Sequence, residues 1–444
     1  MQNEILKKAK LAREASLKLA VLPTGIKNKA LIEIANSLKR NCKAILEANR
    51  KDIGSAKDAK LSDALIKRLK LDEQKISEMI EEIKEVAKLE DPVGKVLSQV
   101  ELDKGLMLYQ VACPIGVIGA IFESRPDAAA QISALCLKSG NAVILKGGSE
   151  AKNSNKMLVE LISKSAESSG MPKGSVQLLE TREEVSQMLK MNQYISLIIP
   201  RGSNAFVKYV QENTKIPVLG HSEGICHVFV DKSADIKKAL DICFDAKCQY
   251  PAVCNAMETM LVHKDIGKIF LPLMAKKFLD AGVEIRADSN SLKILIVQDN
   301  SIIKNKKIKK ASEKDCSSEY NDLILSIKIV DDLQDAIRHI NKYGSKHTDA
   351  IVTEDKKAAE AFMELVDSSS VMWNASTRFA DGFRYGKGAE VGISTAKIHA
   401  RGPVGLDGLV IYKYKLIGNG HIVKDYAEKN AKKFKHNIVK NFNG

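Results

Sequence analysis

The sequence predicts an α/β protein whose parallel sheets are covered by helices on both faces. From about residue 113 onward, continuously apolar segments alternate with amphipathic helical segments, a pattern typical of parallel strands that are buried on both faces. A hairpin and one late apolar segment stand outside this alternation, which predicts a small additional β arm. With 444 residues, the chain is too long for one ordinary core and predicts two or three domains.

The first 89 residues are predicted to be helical. Between residues 72 and 89, apolar residues recur at steps of three and four, which places them on one face of a helix. These residues are Ile76, Met79, Ile80, Ile83 and Val86. Asp72 precedes them and is suited to cap the helix.

A first βαβ series follows this helical region. Its predicted strands are residues 115–122, 141–145, 175–179, 195–199 and 226–230, and its clearest helices are residues 127–138 and 153–168. In such a sheet, ligands lie at the carboxyl ends of the strands. A second α/β stretch begins near Tyr250, with predicted strands at residues 260–262, 294–297, 323–329, 349–352 and 371–373.

The β arm is predicted from segments that belong to no βαβ unit. Gln99–Leu102 and Leu106–Gln110 flank a turn at Gly105 and predict a hairpin. Leu409–Ile417 predicts one long strand. Because each would expose an unpaired edge in a monomer, we expect them to pair across subunits and to build a homodimer or a dimer-based oligomer.

The charge balance favours small anionic partners over nucleic acid. The chain carries 69 Lys and Arg against 55 Asp and Glu, a net charge of +14, which suits phosphorylated metabolites. The lysines are interleaved with glutamates, and only 5% of residues are aromatic, which disfavours RNA binding. The basic run Lys304–Lys310 is interpreted as an exposed loop or helix face rather than a nucleic-acid arm.

Several other classes of protein are disfavoured. The eight cysteines include no CxxC pair and no Cys/His ligand spacing, so neither a zinc site nor a disulfide framework is expected. The first residues open a charged amphipathic helix rather than a signal peptide, and no apolar stretch approaches the length of a membrane span. We therefore expect a cytoplasmic protein.

Two strand ends and one cysteine carry the candidate chemistry. Lys146–Ser149 follows a predicted strand, and so does Gly202–Ser203, which precedes a helix whose free backbone N–H groups would suit a phosphate. Either could also be an ordinary tight turn. Cys254 lies just before a strand at the predicted domain boundary, where it could be a nucleophile or an inert core residue.

Five segments, in order along the chain, resemble the aldehyde dehydrogenase superfamily and, more narrowly, its gamma-glutamyl phosphate reductases. The segments are Cys113–Asp127, Gly140–Gly148, Gln249–Thr259, Val371–Phe379 and Gly388–Leu406. The resemblance extends from about Lys10 to Ile417. It implies an aldehyde dehydrogenase-like fold, with a Rossmann-type cofactor domain, an α/β catalytic domain and a small β oligomerisation arm.

The resemblance also implies a domain division. It assigns residues 1–97, 113–249 and 375–402 to the cofactor-binding domain and residues 250–374 to the catalytic domain. It assigns residues 98–112 and 403–425 to the oligomerisation arm. Residues 426–444 are then a basic tail, which is expected to be frayed or a surface helix.

The resemblance assigns roles to most of the candidate residues. It implies that Cys254 is the nucleophile, that Lys146 lies near the adenosine ribose or its phosphate, and that Gly202 and Ser203 lie near the pyrophosphate. Gly148 and Ser149 are also expected to bind the cofactor. NAD-dependent relatives often carry a Glu three residues after the Lys. Because Ser149 stands there, with Glu150 one step on, the resemblance implies NADP(H) as the cofactor.

For five further residues, a catalytic and a structural interpretation stay open. Arg125 would bind the substrate phosphate or the oxyanion, or else pair with a helix end. Glu319 would hold the nicotinamide ribose, or else be a loop residue. Asn374, Ser376 and Thr377 would line the substrate mouth, or else Ser376 or Thr377 would cap a helix.

One departure from the superfamily bears on the reaction. Hydrolytic members carry a general-base Glu where this chain has Val218, so nothing obvious activates water against a thioester. His221 could substitute as that base or make a structural polar contact. The acyl group is thus expected to exchange with phosphate.

The resemblance therefore implies NADPH-dependent reduction of L-glutamate 5-phosphate to the 5-semialdehyde in proline synthesis. The alternatives are a related acylating dehydrogenase that acts on another acyl phosphate or an acyl-CoA and, more remotely, a basic nucleic-acid-binding or scaffold protein on an inactive fold. No metal is implied.

Overall fold

The structure, a computed structural model, describes residues 2–298, 305–427 and 431–439. These residues form two compact units. The first falls within residues 1–219, 387–392 and 404–444, and the second within residues 220–386 and 393–403. Each unit has its own sheet and its own buried apolar residues.

The helices and strands of the described residues are numbered in chain order. The α-helices are α1 (Gln2–Leu19), α2 (Thr24–Arg40), α3 (Cys42–Asp58), α4 (Asp63–Leu69), α5 (Glu73–Lys88), α6 (Asp127–Lys138), α7 (Lys152–Ser168), α8 (Arg182–Met188), α9 (Asn204–Glu212), α10 (Ile236–Cys248), α11 (Lys264–Asp280), α12 (Ser289–Gln298), α13 (Leu333–Tyr343) and α14 (Lys356–Leu365). The strands are β1 (Val96–Asp103), β2 (Leu106–Pro114), β3 (Val117–Phe122), β4 (Ala142–Gly147), β5 (Val176–Leu178), β6 (Leu197–Arg201), β7 (Cys226–Val230), β8 (Met257–His263), β9 (Glu284–Ala287), β10 (Ile308–Lys310), β11 (Ile324–Val330), β12 (Thr348–Val352), β13 (Ser370–Trp373), β14 (Ile393–Ser394), β15 (Gly402–Pro403), β16 (Val410–Ile417) and β17 (Asn437–Ile438).

The helical prediction for the first 89 residues is confirmed by α1 to α5. The Asp72 side chain caps α5 by accepting a hydrogen bond from the Lys75 backbone N–H at 2.9 Å. All five apolar residues predicted to share one face of α5 are buried, because their three- and four-residue spacing turns them toward the same side.

The first unit contains a parallel sheet in the order β5-β4-β3-β6. Strands β3 and β4 are buried at every position, as the apolar sequences of residues 117–122 and 142–145 predict. The segment Cys226–Val230 was expected to extend this sheet, and that expectation is wrong. It forms β7, which lies between β8 and β12 in the second sheet.

The second unit contains a seven-stranded sheet in the order β10-β9-β11-β8-β7-β12-β13, and all of its strand pairs are parallel. Residues 294–297 were expected to form one of its strands but lie in α12. Ser291 and Leu295, four residues apart, are both fully buried, whereas Val297 is 83% exposed. This helical spacing of buried positions explains the error, because a short apolar run fits either period.

The run Lys304–Lys310 is an exposed loop in part and a strand in part. Residues 305–307 form an exposed turn, as expected. Lys304 lies outside the described residues, and residues 308–310 form β10, a short strand parallel to β9. Its position at the end of the sheet order leaves two of its lysines exposed, which is a common way to protect a sheet edge.

The predicted hairpin and the late strand join in one antiparallel sheet, in the order β16-β2-β1-β17. Strand β16 pairs with β2 along its whole length, from Val410 opposite Pro114 to Ile417 opposite Met107. The expected pairing of these two segments between subunits is therefore corrected, because β2 of the same chain occupies one edge of β16.

The basic tail also contributes to the arm. Its residues Asn437 and Ile438 form β17, which pairs with β1, and the Lys435 N–H donates to the Leu102 carbonyl at 2.8 Å. This described part of the tail is thus an added strand rather than a frayed end or a surface helix, because it satisfies the free backbone groups of β1.

Candidate active site

The nucleophile candidate lies at the amino-terminal edge of the second sheet. Cys254 precedes β8, His221 precedes β7 and His347 precedes β12, and these three strands are neighbours in the order β8-β7-β12. Because the strands are parallel, the segments that enter them meet at one edge. Glu319 precedes β11, the next strand beyond β8, and so enters the same edge.

Neighbouring groups hold the backbone around Cys254, whereas its side chain stays partly exposed. The Cys226 Sγ lies 3.2 Å from the Cys254 carbonyl oxygen and donates to it. The next residue, Asn255, is buried and donates from its amide to the Ala380 carbonyl at 2.8 Å. The Cys254 side chain is half-buried and forms no disulfide. This arrangement positions a small side chain without covering it.

Gly224 allows a second loop to contact the Cys254 backbone directly. A Cβ at Gly224 would lie 2.1 Å from the Cys254 carbonyl oxygen, a separation that no side chain tolerates. The Gly224 N–H donates to Glu319 Oε1 at 2.9 Å. Glu319 therefore supports the loop behind Cys254, and its predicted contact with a nicotinamide ribose stays a prediction.

Two histidines lie beside the Cys254 thiol. One ring nitrogen each of His221 and His347 and the Cys254 Sγ all lie within 4.8 Å of one another, and the two rings meet edge to face at 4.7 Å between centroids. The His221 Nδ1 is 2.8 Å from the Ile393 carbonyl. This is the structural contact considered for His221, so the structure shows both that contact and its closeness to the thiol.

His347 was not found by sequence reasoning. It is fully buried, and its Nδ1 lies 2.9 Å from Thr348 Oγ1. Its one usable signal was its place immediately before an apolar segment, as for Cys254. That signal has value only once β12 and β7 are known to be neighbours.

A buried ion pair lies beneath this edge and was also missed. Lys247 Nζ and Glu258 Oε2 are 2.6 Å apart, and both side chains are at most 1% exposed. Glu258 also accepts from the Asn321 N–H at 3.1 Å. Burial raises the pKa of Glu258 to about 7, although Lys247 opposes this shift. The pair connects α10, β8 and the loop that carries Glu319.

The segment after β13 does not bring all its predicted residues close to Cys254. Asn374 follows β13 and bonds Thr353, which follows β12, with its Oδ1 accepting from the Thr353 N–H at 3.0 Å. It therefore lies at the carboxyl edge of the sheet, opposite the edge that Cys254 enters. Ser376 caps a short helical turn by accepting from the Arg378 N–H at 3.3 Å, which is its structural interpretation.

Thr377 differs from Ser376 in its surroundings. It is fully buried, and its hydroxyl has no hydrogen-bond partner in the described structure. The neighbouring Arg378 contacts Gln249 at 3.1 Å, close along the chain to Cys254. Thr377 thus remains a candidate substrate contact, and Arg378 joins the segment to the nucleophile loop.

The first unit carries the candidate cofactor residues at the carboxyl edge of its sheet, as predicted. Lys146 lies near the end of β4, Gly148 and the exposed Ser149 follow it, and Gly202 and Ser203 follow β6. Strands β4, β3 and β6 are neighbours, so these residues share one edge. Lys146 is only 6% exposed.

Two carboxylates of the chain occupy this edge. The Ser203 N–H, expected to be free for a phosphate, donates to Glu123 Oε2 at 2.9 Å. That expectation is corrected: the positive N-terminus of α9 attracts the nearest carboxylate. Glu150 accepts from the Ser124 N–H at 2.6 Å and from its hydroxyl at 2.7 Å.

Two glycines at this edge leave room for carboxylate groups to lie close to the backbone. A Cβ at Gly148 would lie 1.9 Å from Glu150 Oε1, and a Cβ at Gly202 would lie 2.6 Å from Glu123 Oε2. Larger residues at either position would therefore exclude the carboxylates that now lie there.

Arg125 follows β3 and also lies at this carboxyl edge. Its guanidinium is half-exposed and pairs with Asp127, in the first turn of α6, at 2.9 Å. This is the helix-end contact considered for it. The proposed contact of Arg125 with a phosphate or oxyanion stays a prediction.

Val218 provides no catalytic base. It bridges to Ile198 beside β6, next to a hydrogen bond from the Leu219 N–H to the Ile198 carbonyl at 2.9 Å. Its side chain is aliphatic and cannot accept a proton.

Among the described residues, no helix is long and apolar enough to span a membrane.

Comparisons with known proteins agree on one family. Residues 2–314 match the profile of the aldehyde dehydrogenase family. The gamma-glutamyl phosphate reductase of Methanosarcina barkeri is 56% identical over 441 residues, which are 98% of both chains. The relative of the same name from Acetivibrio thermocellus is 56% identical over 425 residues, 96% of both chains.

Solved structures agree with these sequence matches. The crystal structure of gamma-glutamyl phosphate reductase from Thermotoga maritima superposes with a TM-score of 0.90 at 42% identity, covering 94% of this chain and 99% of that chain. An acetylating aldehyde dehydrogenase from Geobacillus thermoglucosidasius shares the fold with a TM-score of 0.65 at 16% identity, covering 95% and 98% of the two chains. The chain belongs to the gamma-glutamyl phosphate reductases of the aldehyde dehydrogenase family.

Proposed function

We propose that the chain catalyses the NADPH-dependent reduction of L-glutamate 5-phosphate to L-glutamate 5-semialdehyde with release of phosphate, in proline biosynthesis. The observation that carries the proposal is Cys254, half-buried and held through its backbone at a sheet edge. Relatives that match almost the full length of the chain bear the name of this activity.

The chemistry begins at the Cys254 Sγ. The thiol loses its proton, the sulfur attacks the acyl carbon, and the bond from that carbon to the phosphate oxygen breaks, which leaves a thioester and free phosphate. NADPH, when bound, supplies hydride. The resulting thiohemiacetal collapses to the aldehyde, and Cys254 recovers its proton.

The choice of phosphate over water follows from the residue that stands in place of the hydrolytic base. Val218 cannot deprotonate a water molecule, so a thioester on Cys254 persists until it is reduced or returned to phosphate. We therefore expect release of free glutamate to be slow compared with reduction. We also propose that Arg125 contacts the substrate phosphate and that Thr377 contacts the acyl group.

The experiment that tests the function is a coupled assay with enzymically generated γ-glutamyl phosphate and NADPH. We expect one phosphate and one NADP⁺ for each semialdehyde formed. If turnover with another acyl phosphate or with an acyl-CoA is equal or better, the proposed substrate is wrong and that compound is the substrate.

NADP(H) is proposed over NAD(H) because of Lys146 and Ser149. Lys146 supplies a buried cation at the carboxyl end of β4, where a ribose 2′-phosphate is expected. Ser149 stands where NAD-dependent relatives often carry a Glu, and Glu150 is already bonded to Ser124. Entry of a pyrophosphate at Ser203 would require the Glu123 carboxylate to rotate away.

Lys146→Ala should raise the KM for NADPH by at least about tenfold and the KM for NADH much less, because only NADPH carries the 2′-phosphate and a charge-assisted contact is worth about 1.5–3 kcal/mol. Steady-state kinetics with both cofactors measure this. Lys152→Ala, which removes an exposed lysine paired with Glu180, is the control. An equal rise for both cofactors would show that Lys146 does not recognise the 2′-phosphate.

A homodimer or dimer-based oligomer is proposed from the arm. Among the described residues, β16 pairs with β2 alone, and its large side chains Ile411, Tyr412, Tyr414 and Leu416 are 39% to 62% exposed. An apolar strand with one unpaired edge is a ready surface for a second copy.

Replacing Tyr414 and Leu416 together with lysine should convert the oligomer to monomers, because two charges would have to be buried at the contact. Light scattering at micromolar concentration measures the mass, and Lys413→Ala is the control on the same strand. A wild-type protein that is monomeric under these conditions would contradict the proposal.

A cytoplasmic location is proposed as well. All eight cysteines lie among the described residues, and none of them forms a disulfide there. Free thiols on a chain of this size are typical of a reducing compartment.

A further inference from the structure

The cluster of His221, Cys254 and His347 has the composition of a metal site. Two imidazoles and a thiolate are the ligands that zinc prefers, whereas magnesium and calcium prefer oxygen. One candidate ligand atom from each residue lies within 4.8 Å of the other two. The spacing of these residues in the sequence gave no sign of the cluster, because three separate strands bring them together.

His221 is oriented in the way that metal ligands usually are. A carbonyl oxygen can only accept a hydrogen bond, so the His221 Nδ1 carries the proton in its 2.8 Å contact with the Ile393 carbonyl. In the neutral ring, the lone pair is then on Nε2. Most metal-binding histidines donate their other N–H to a carbonyl or carboxylate in this manner.

His347 supplies the second, independent observation. Its ring is fully buried, and its Nδ1 lies 2.9 Å from Thr348 Oγ1 and 3.7 Å from Cys226 Sγ. Its Nε2 has no hydrogen-bond partner in the described structure. A buried polar nitrogen without a partner is costly, and a bound cation would remove that cost.

The separation of the ligand atoms is close to that of a zinc site. Zinc bonds of about 2.0–2.1 Å to nitrogen and about 2.3 Å to sulfur in tetrahedral geometry place neighbouring ligands roughly 3.3–3.6 Å apart. The present upper bound of 4.8 Å therefore requires movements of about 1 Å, which small side-chain rotations provide.

We propose that His221, Cys254 and His347 form a reversible zinc site that blocks the nucleophile. On binding, the Cys254 S–H bond breaks, the proton passes to solvent, and sulfur bonds to the cation. The remaining coordination position is open to water. The consequence for turnover rests on the proposed function, since zinc and the acyl group compete for one sulfur atom, whereas the binding itself does not.

Cobalt(II) is the spectroscopic probe for this site, added to the full-length protein after reduction and removal of metals. We expect one Co²⁺ per chain, with visible bands of tetrahedral geometry and a near-ultraviolet thiolate-to-cobalt band. Cys254→Ser should abolish the thiolate band. Zn²⁺ should displace the cobalt and should protect Cys254 from iodoacetamide, as identified by peptide mass spectrometry.

His221→Asn and His347→Asn should each weaken zinc binding by at least about 10–100-fold, the loss expected even for groups that only support a ligand. His436→Ala, which removes an exposed histidine of the arm, should leave binding unchanged. Thermal unfolding without metal identifies any variant that fails to fold. If His347→Asn does not fold, the His221→Asn variant still tests the site, because His221 is partly exposed.

The results separate this proposal from the proposed function. Cobalt without a thiolate band, or zinc that leaves alkylation of Cys254 unaffected, overturns the site even if the reductase activity is present. A thiolate band together with protection supports the site even if γ-glutamyl phosphate is not the substrate. Unchanged zinc affinity in two folded histidine variants also overturns it.

Discussion

Cys254→Ala is expected to lower turnover by at least about three orders of magnitude, because it removes the atom on which the acyl group is carried. The midpoint of thermal unfolding should change little. The side chain is half-buried, and the contacts that hold this loop are made by the Cys254 carbonyl and by Asn255. The coupled assay and calorimetry measure the two quantities.

Cys248→Ala is the matched control for that substitution. Cys248 ends α10, six positions before the nucleophile, and burial raises the pKa of its thiol to about 11. Formation of the reactive thiolate at Cys248 is thereby disfavoured. We expect this variant to retain turnover. Comparable activity in Cys254→Ala would refute the assignment of the nucleophile.

Glu258→Leu is expected to destabilise the protein by about 3–5 kcal/mol, because it leaves the buried Lys247 ammonium without its partner. Both side chains are at most 1% exposed in the wild type, so water cannot replace the lost carboxylate. The Asn321 N–H loses its acceptor as well. Urea unfolding measures the change in the free energy of unfolding.

The double variant Lys247→Met with Glu258→Leu distinguishes a buried charge from a packing defect. Replacing both partners removes the uncompensated charge, so most of the lost stability should return. If the double variant is as unstable as Glu258→Leu alone, the defect is one of packing and the argument from charge fails.

The sequence predicts the strands of the first sheet and the residues at its carboxyl edge well because both depend on local pattern. Strands that are apolar throughout, followed by Lys146–Ser149 or by Gly202–Ser203, need only the rule that parallel strands share a carboxyl edge. The structure places these residues at that edge. Their carboxylate neighbours Glu123 and Glu150 could not be predicted, because side-chain direction at a loop depends on tertiary contacts.

The second sheet shows where local pattern is insufficient. The strand Cys226–Val230 is recognisable from its apolar residues, yet its partners β8 and β12 are distant in the chain. His347 depends on that pairing, since it is 121 residues from the Cys226 thiol that it approaches. Cys254 also lies at the amino-terminal edge of this sheet, opposite to the edge that a parallel sheet usually offers to ligands.

In the arm and in the segment after β13, the local sequence likewise does not specify the pairing partner. The apolar character of residues 410–417 predicts a strand but not which copy of the chain pairs with it, and β2 of the same chain does so. Asn374 directly follows a strand, and only the sheet order shows that it bonds Thr353 at the edge opposite to Cys254.

The reaction run in reverse tests the central claim most directly. The protein is incubated with glutamate 5-semialdehyde and NADP⁺, with and without inorganic phosphate. Hydroxylamine is added to trap the acyl product only after NADPH formation has been recorded and the protein has been removed, because hydroxylamine itself reacts with aldehydes and thioesters. We predict NADPH formation that requires phosphate and yields γ-glutamyl hydroxamate, because Cys254 transfers its acyl group to phosphate and Val218 activates no water. Phosphate-independent NADPH formation that yields free glutamate would contradict the account.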